Sequence, residues 1–397
     1  MPVFVEKFYS KIREELSFVH QTRLNSLLTV SKALIDGSRL SIAQLGNRII
    51  NNTTPKHNIK KVDRLLGNRK LEVKEIYSKL SKMLLSSMEE AIILVDWCIY
   101  ENKKYHVLQA SLIAEGRSLP LYRDAYDITS PIFHQTVAED NFLDNLKKCL
   151  PSTIKKVVIV TDAGFHTPWF YKIIALGWDF VGRLRGTLSI KLETDRTWKI
   201  ANKFFKQASN IPRFIGEAKI GKSVFKKYGL TAGVHIYRST KKNRESLNKR
   251  YNKAINALYK AINKEPWVII TSLRELDNFS KSVINIYKKR MQIEQNFRDD
   301  KNNRWGFGFR SSKCGNAHRL SVYLLLSAIA HIFLWLIGYA AEKIGLKKMF
   351  QVNTLKRRVL SYISLGKLII AQHIKIKSDF ITNGIRYISS INSEAFP

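Results

Sequence analysis

From Leu320 to Ala341 the chain runs for 22 residues without a formal charge. A stretch of that length and composition either crosses a membrane or forms a helix enclosed within a large domain. Ser321, Ser327 and His331 interrupt the run, and both flanks are basic, so no orientation signal stands out. The expectation is therefore a buried core helix and no membrane anchor. The chain's 397 residues, 45% of them hydrophobic, suffice for such a core in about two or three domains.

Charge sets the class of partner. Lys and Arg number 67 against 32 Asp and Glu, a net charge of +35. A folded protein so basic gains most from a polyanion, because each neutralised phosphate releases condensed counterions. Nucleic acid is the first expectation and an acidic membrane surface the second. Three cysteines, Cys98, Cys149 and Cys314, lack paired spacing, and the nine histidines are scattered singly. That argues against a disulfide framework and against a zinc site. The N-terminal text MPVFVEKFYSKIREEL is amphipathic and charged, unlike a signal peptide, so a cytoplasmic protein is expected.

Residues 1–75 read as helices. LNSLLTVSKALIDG is amphipathic and ends at Gly37, a C-cap candidate. Ser41 is placed to cap SIAQLGNRI, and the polar turn NNTTP leads into KHNIKKVDRLLGN. Two short helices, the second carrying Lys56, His57, Lys60, Lys61 and Arg64, suit a helix-turn-helix-like DNA-binding domain. A small helical bundle with a solvated basic face satisfies the same pattern.

Past residue 90 the pattern changes to strands. AIILVDW is an apolar run ending in Asp96, and VVIVTDAGF brings a second such run to Asp162. Between them YHVLQASLIAEG and SLPLYRDAYD read as strands and 138–150 as a helix; WFYKIIALG, a helix, and WDFVGRLRG, a strand, follow. This order gives an α/β fold with a mixed sheet. The domain reading is a core of 76–186 and 276–340, a β-rich insertion at 187–275, and a helical C-terminal region, 341–397, as the candidate dimerisation surface. Within the insertion, the basic run at 241–264 reads as an exposed helix or loop. Arg183 and Arg185 alternate along one strand, share a face, and are candidates to line a DNA channel.

One further segment carries chemistry. INIYKKRMQIEQNFRDDKN has helical composition without Pro or Gly. On one continuous helix Tyr287, Arg290, Glu294 and Lys301 fall within an arc of about 60°. An acid, two cations and a phenol on one stripe make a poor core but suit a phosphodiester beside a metal ion. A carboxylate at the exit of an apolar strand is costly unless paired or metal-bound. Asp96, Asp162 and Glu294 together form a candidate three-carboxylate site for hard divalent cations.

The order strand-Asp96, strand-Asp162, insertion, helix-Glu294, with the spacing Y-x2-R-x3-E-x6-K, resembles bacterial DDE transposases of the insertion-sequence-four group. The texts KHNIKKVDRLLGN, LVDW, TDAGF, KEPWV and NIYKKRMQIEQNFRD look closest to the Tn-ten branch, and the resemblance spans about residues 20–370. Met291 stands where the Tn-five branch has a tryptophan, which leaves part of the base-holding pocket undefined.

The resemblance implies a ribonuclease-H-like core in which Asp96, Asp162 and Glu294 are catalytic and hold two Mg²⁺ ions, with Mn²⁺ as a substitute. It implies cut-and-paste transposition: binding of terminal inverted repeats, cleavage through a hairpin intermediate and joining to target DNA by a homodimer spanning two ends. Trp267 is then placed to stack an extruded base, Tyr287 and Arg290 to grip its phosphate, and Lys301 to meet the neighbouring backbone. A ribonuclease-H-like nuclease or resolvase without transposition activity, and a non-catalytic DNA-binding protein, are the alternatives.

Overall fold

The uncharged run lies inside one 27-residue helix, Ala317–Lys343, in which every residue from Leu320 to Ala341 except Ser321 is buried. Among the described residues it is the one helix long and apolar enough to cross a membrane, and its own unit encloses it. An all-round apolar helix belongs in a core. The computed structural model describes residues 3–100, 104–239, 265–274, 279–352, 354, 358–376 and 379–396. The basic run at 241–264 lies outside them. The chain divides into two units, Met1–Lys155 with Met291–Glu394, and Lys156–Arg290 with Ala395–Pro397.

The first unit opens with helices α1 (Val3–Glu15), α2 (Gln21–Ile35), α3 (Ile42–Arg48), α4 (Pro55–Gly67) and α5 (Val73–Leu85). Strands β1 (Glu90–Tyr100), β2 (Tyr105–Leu112) and β3 (Leu119–Asp127) follow, then α6 (Gln135–Cys149). The second unit holds β4 (Lys156–Thr161), α7 (Thr167–Ala175), β5 (Asp179–Arg183), β6 (Ser189–Leu192), β7 (Lys199–Ile200), β8 (Arg213–Ile220), the short α8 (Phe225–Tyr228), β9 (Thr231–Tyr237), β10 (Trp267–Thr271) and α9 (Phe279–Lys289). The chain then returns to the first unit with α10 (Met291–Lys301), α11 (Ala317–Lys343), α12 (Tyr362–Ala371) and α13 (Phe380–Ala395).

In the first unit β1, β2 and β3 make antiparallel pairs, with a bulge at Ala110 and Ser111. The α11 helix packs against β3, α2, α4, α5 and α12. In the second unit β4 and β5 are parallel, joined by the α7 crossover, and β5-β10-β9-β8-β6-β7 continue antiparallel. The α9 helix packs on β4, β5, β8 and β9. The architecture is mixed α/β, as the alternation of strands and helices led one to expect.

Two local expectations need correction. Asp96 does not terminate its strand: β1 continues to Tyr100, and Asp96 faces Gln109 across the ladder. The residues beyond it keep a strand alternation, with Cys98 and Tyr100 buried and Ile99 exposed. The stretch 279–301 is two helices, not one. Arg290 N–H reaches back to Tyr287 C=O at 3.0 Å, a tightened turn that ends α9 before α10 begins.

At the N-terminus Asp36 caps α2 and Gly37 follows at φ +94°, the left-handed setting expected there. Gly46 on α3 packs directly on α4: a Cβ there would lie 2.6 Å from the Ile59 Cα. Asn58 and Asn51 exchange amide bonds at 2.9 and 3.0 Å, and Asn58 also donates to Ile49 C=O at 3.3 Å, bracing the connection between the two helices.

The core of the first unit contains a sealed polar network. Arg123 on β3 pairs with Asp300 on α10 at 3.1 Å, and neither side chain is exposed. Arg123 also donates to Ser327 Oγ at 2.6 Å and to Leu324 C=O at 3.3 Å on α11, while the Tyr100 hydroxyl donates to Asp300 at 3.2 Å. His331 Nδ1 sits 2.9 Å from Ser327 C=O, which requires it to carry the proton. Asp300 lies 3.7 Å from that ring, but its charge faces Arg123. Burial, then the guanidinium, pushes the imidazole down to about 3.

Removing Arg123 alone strands a buried carboxylate. We expect Arg123→Met to cost about 3–5 kcal/mol in denaturant unfolding and Arg123→Met/Asp300→Leu to recover much of that; equal loss in both would show that the charges are not coupled. His331 is neutral when folded and titrates near about 6.5 when unfolded, so the unfolded chain binds the extra proton. Stability should therefore fall as pH drops from about 6.5 towards about 3, and His331→Leu should flatten that decline.

Candidate active site

The first unit carries two of the three acids. Asp96 lies within β1 and is 9% exposed. Glu294 occupies the first turn of α10, which packs against β1. The roll of α10 is fixed by polar anchors. Gln292 exchanges two hydrogen bonds with the Ala114 backbone at 3.1 and 2.6 Å. Asn296 donates to Ser118 C=O at 2.7 Å and its hydroxyl at 3.0 Å. Asp299 pairs with Arg117 at 2.6 Å, and Asp300 with Arg123. At about 100° per residue these four share one face, with Glu294 and Lys301 roughly opposite.

Lys301 reaches back to β1. Its ammonium lies 4.9 Å from the Tyr100 ring centre and near enough to the Cys98 thiol to favour its charged form. Burial pushes that thiol up to about 11, against the pull of Lys301. Asp96, Glu294 and Lys301 thus come from one strand and the helix packed on it.

The second unit gathers four of the expected residues around the ring of a fifth, Tyr287. Asp162 directly follows β4 and accepts from Gly164 N–H at 2.7 Å. Tyr287, near the end of α9, meets Trp267 edge-on, ring centres 5.0 Å apart, and Trp267 in turn touches Tyr237 at 5.4 Å. The Arg290 guanidinium sits 5.9 Å over the Tyr287 ring. Burial raises the Tyr287 hydroxyl; Arg290 and Arg183 oppose the shift, and Asp162 adds to it. The structure therefore brings Tyr287, Arg290, Trp267, Arg183 and Asp162 into one electrostatic neighbourhood.

The two arginines read as sharing a strand face do not. Arg183 ends β5 and pairs with Glu265 at 2.7 Å, whereas Arg185 lies beyond the strand and donates to Ala163 C=O at 2.7 Å. On α4, Lys60 and Arg64 are exposed and Lys61 half-buried, while Asn58, Val62, Leu65 and Leu66 face inward.

Asp96 and Glu294 belong to the first unit and Asp162 to the second. Within either unit, among the described residues, no three His, Cys, Asp or Glu side chains group closely enough to hold a metal ion. The donor set itself is all carboxylate oxygen, the chemistry of hard cations such as Mg²⁺. Sequence reasoning missed the four anchors of α10. Their spacing of 4, 3 and 1 residues was a usable signal, since polar residues recurring on one helix face mark a polar attachment surface.

None of the curated proteins matches the sequence. Among solved structures, the chain is similar to the piggyBac transposase in a synaptic complex with hairpin DNA, at a TM-score of 0.40 and 10% identity over 96% of this chain and 77% of that one. That likeness is too slight to carry an argument. The family model described as "Transposase DDE domain" matches residues 96–333, from the first aspartate into the buried helix. That match covers more than half of the chain, which therefore belongs to the DDE transposase family, whose DDE domain is ribonuclease-H-like and whose members use divalent metal ions.

Proposed function

We propose that the chain is a cut-and-paste DNA transposase of the insertion-sequence-four group, nearest the Tn-ten branch. Asp96, Asp162 and Glu294 are its catalytic carboxylates. The observation that carries the reading is the setting of α10: its polar anchors leave Glu294 and Lys301 on the opposite face, beside the strand that bears Asp96. The three carboxylates would hold two Mg²⁺ ions, or Mn²⁺ in their place, which would supply activation of a water or 3′-hydroxyl and stabilisation of the leaving oxygen in an in-line displacement.

The chain's own groups do the rest. Arg290, with a planar fork able to engage two phosphate oxygens, and Tyr287 hold the phosphate of a nucleotide drawn from the stack. Trp267, next to Tyr287, offers the aromatic surface that lowers the cost of extruding a base, the step that a hairpin intermediate demands. Lys301 places a point charge against the adjoining backbone. Residues 1–75, with Lys60, Lys61 and Arg64 on α4, bind the terminal inverted repeats. The core of 76–186 and 276–340 cuts and joins, with 187–275 as its insertion. The helices of 341–397 pair two copies across the two ends in the cytoplasm.

The test is incubation with terminal-repeat DNA and Mg²⁺. Asp96→Ala, Asp162→Ala and Glu294→Ala should each lower cleavage by several orders of magnitude while end binding persists; normal cutting by any of them would remove it from the site. Trp267→Ala should nick normally and form less hairpin, whereas equal loss of both steps would contradict a stacking role. Nicking without sequence preference or strand joining would favour a nuclease instead.

A further inference from the structure

The loop after Lys301 holds an exposed indole in a rigid frame. Asn302 Oδ1 accepts from the N–H groups of Arg304 at 2.7 Å and Trp305 at 2.8 Å, and its carbonyl accepts from Gly306 and Gly308, both at 3.1 Å. Phe307 N–H donates to Asp299 C=O and Phe307 C=O accepts from Leu40 N–H, each at 2.8 Å. Lys367 on α12 donates to the carbonyls of Trp305 at 2.9 Å and Gly306 at 3.0 Å and lies 4.4 Å over the Phe307 ring. A Cβ on Gly306 would fall 1.8 Å from Asp299 C=O, so only glycine fits. Phe307 and Phe309 are buried to 1% exposure, yet Trp305, two residues before Phe307, is 70% exposed.

A loop so restrained does not need an indole in water for its own stability. The Arg304 guanidinium lies over the Trp305 ring, 5.0 Å from its centre, so positive charge covers one face of an indole that is otherwise largely exposed. Residues 301–316 contain Lys301, Arg304, Arg310 and Lys313 and no acid. Lys301, Arg310 and Lys313 line a cavity of about 650 Å³ with Ile99, Tyr100, Phe309 and Cys314. Aromatic surface interleaved with cations is the recognition chemistry of unpaired nucleic acid: bases stack on the ring while phosphates meet the charges. An all-cationic rim complements a phosphate backbone rather than a mixed-charge protein surface.

We propose that Trp305, faced by Arg304, is a stacking platform for an unpaired DNA base, separate from Trp267, on a strand whose phosphates run along Lys301, Arg310 and Lys313. This rests on the reading of the chain as a DNA-acting enzyme but not on its chemistry. Because the loop is preformed, the base meets it without an ordering cost.

The test is binding of a single-stranded oligonucleotide carrying 2-aminopurine, in EDTA so that no strand is cut. Trp305→Ala should weaken binding by about tenfold and remove the fluorescence quenching, while Trp305→Phe, which keeps a ring, should stay within about threefold. Thermal melting should not move for either variant, because the side chain is exposed. The salt dependence of binding should be unchanged in Trp305→Ala and shallower in Lys313→Ala. Unaltered affinity and quenching in Trp305→Ala would overturn the proposal. So would unaltered affinity with weakened self-association, since the indole would then be a protein contact. Binding and quenching are read in EDTA without strand cleavage, so failure of the cleavage assignments reads out separately from failure of the platform.

Discussion

Arg123 and Asp300 face each other with no exposed surface on either side chain, and taking two charges out of water costs several kcal/mol per ion. The cost is offset only where geometry is good and the remaining donors are satisfied. Ser327, Leu324 and Tyr100 supply part of what is needed, meeting Arg123 Nη1 and Asp300 Oδ2, while Arg123 Nε is left without a hydrogen-bond partner. One pair thereby ties β3, α10, α11 and β1 into a single arrangement. Apolar packing alone would permit small rotations of α10. A buried ion pair does not, because moving either charge leaves the other without a partner in a low-dielectric interior.

The residues proposed for catalysis inherit that rigidity. Glu294 and Lys301 sit on the helix that Gln292, Asn296, Asp299 and Asp300 hold in place, and Lys301 reaches the strand of Asp96 through Cys98 and Tyr100. A site built on regular elements and braced from behind holds its side chains more closely than one carried on loops. The second unit uses a different device, an aromatic cluster of Tyr237, Trp267 and Tyr287 with the Arg290 guanidinium above the last ring.

Much of this was legible in the sequence, for definite reasons. The 22-residue uncharged run could only be enclosed or membrane-bound, and its interruptions favoured enclosure. Asp162 was readable because an apolar run stops at it. Asp96 misled, because an acid after five apolar residues imitates a strand end, while pairing with β2 carries β1 on to Tyr100. The break at Arg290 had no sequence mark: no Pro or Gly stands there, and a single short-range backbone bond makes the turn. Arg123 and Asp300 escaped notice because charged residues are mostly surface residues, and only the fold reveals which are sealed. The basic helix α4 was visible through its Asn-Asn-Thr-Thr-Pro entry, whereas the close approach of Gly46 to Ile59 depends on tertiary contact.

The polar anchoring of α10 also governs what replacements the helix can accept. Greasy surfaces tolerate sliding and exchange of similar shapes, so a hydrophobically seated helix can drift over evolutionary time and settle again. Four directional attachments allow one angle of roll. Deleting a single residue before Asp300 would swing Asp300 out and carry Lys301 into its place, trading a matched pair for a lysine facing Arg123. Insertions or deletions between Gln292 and Asp300 would break this set of attachments, so the architecture constrains the interval from Glu294 to Lys301 independently of any substrate.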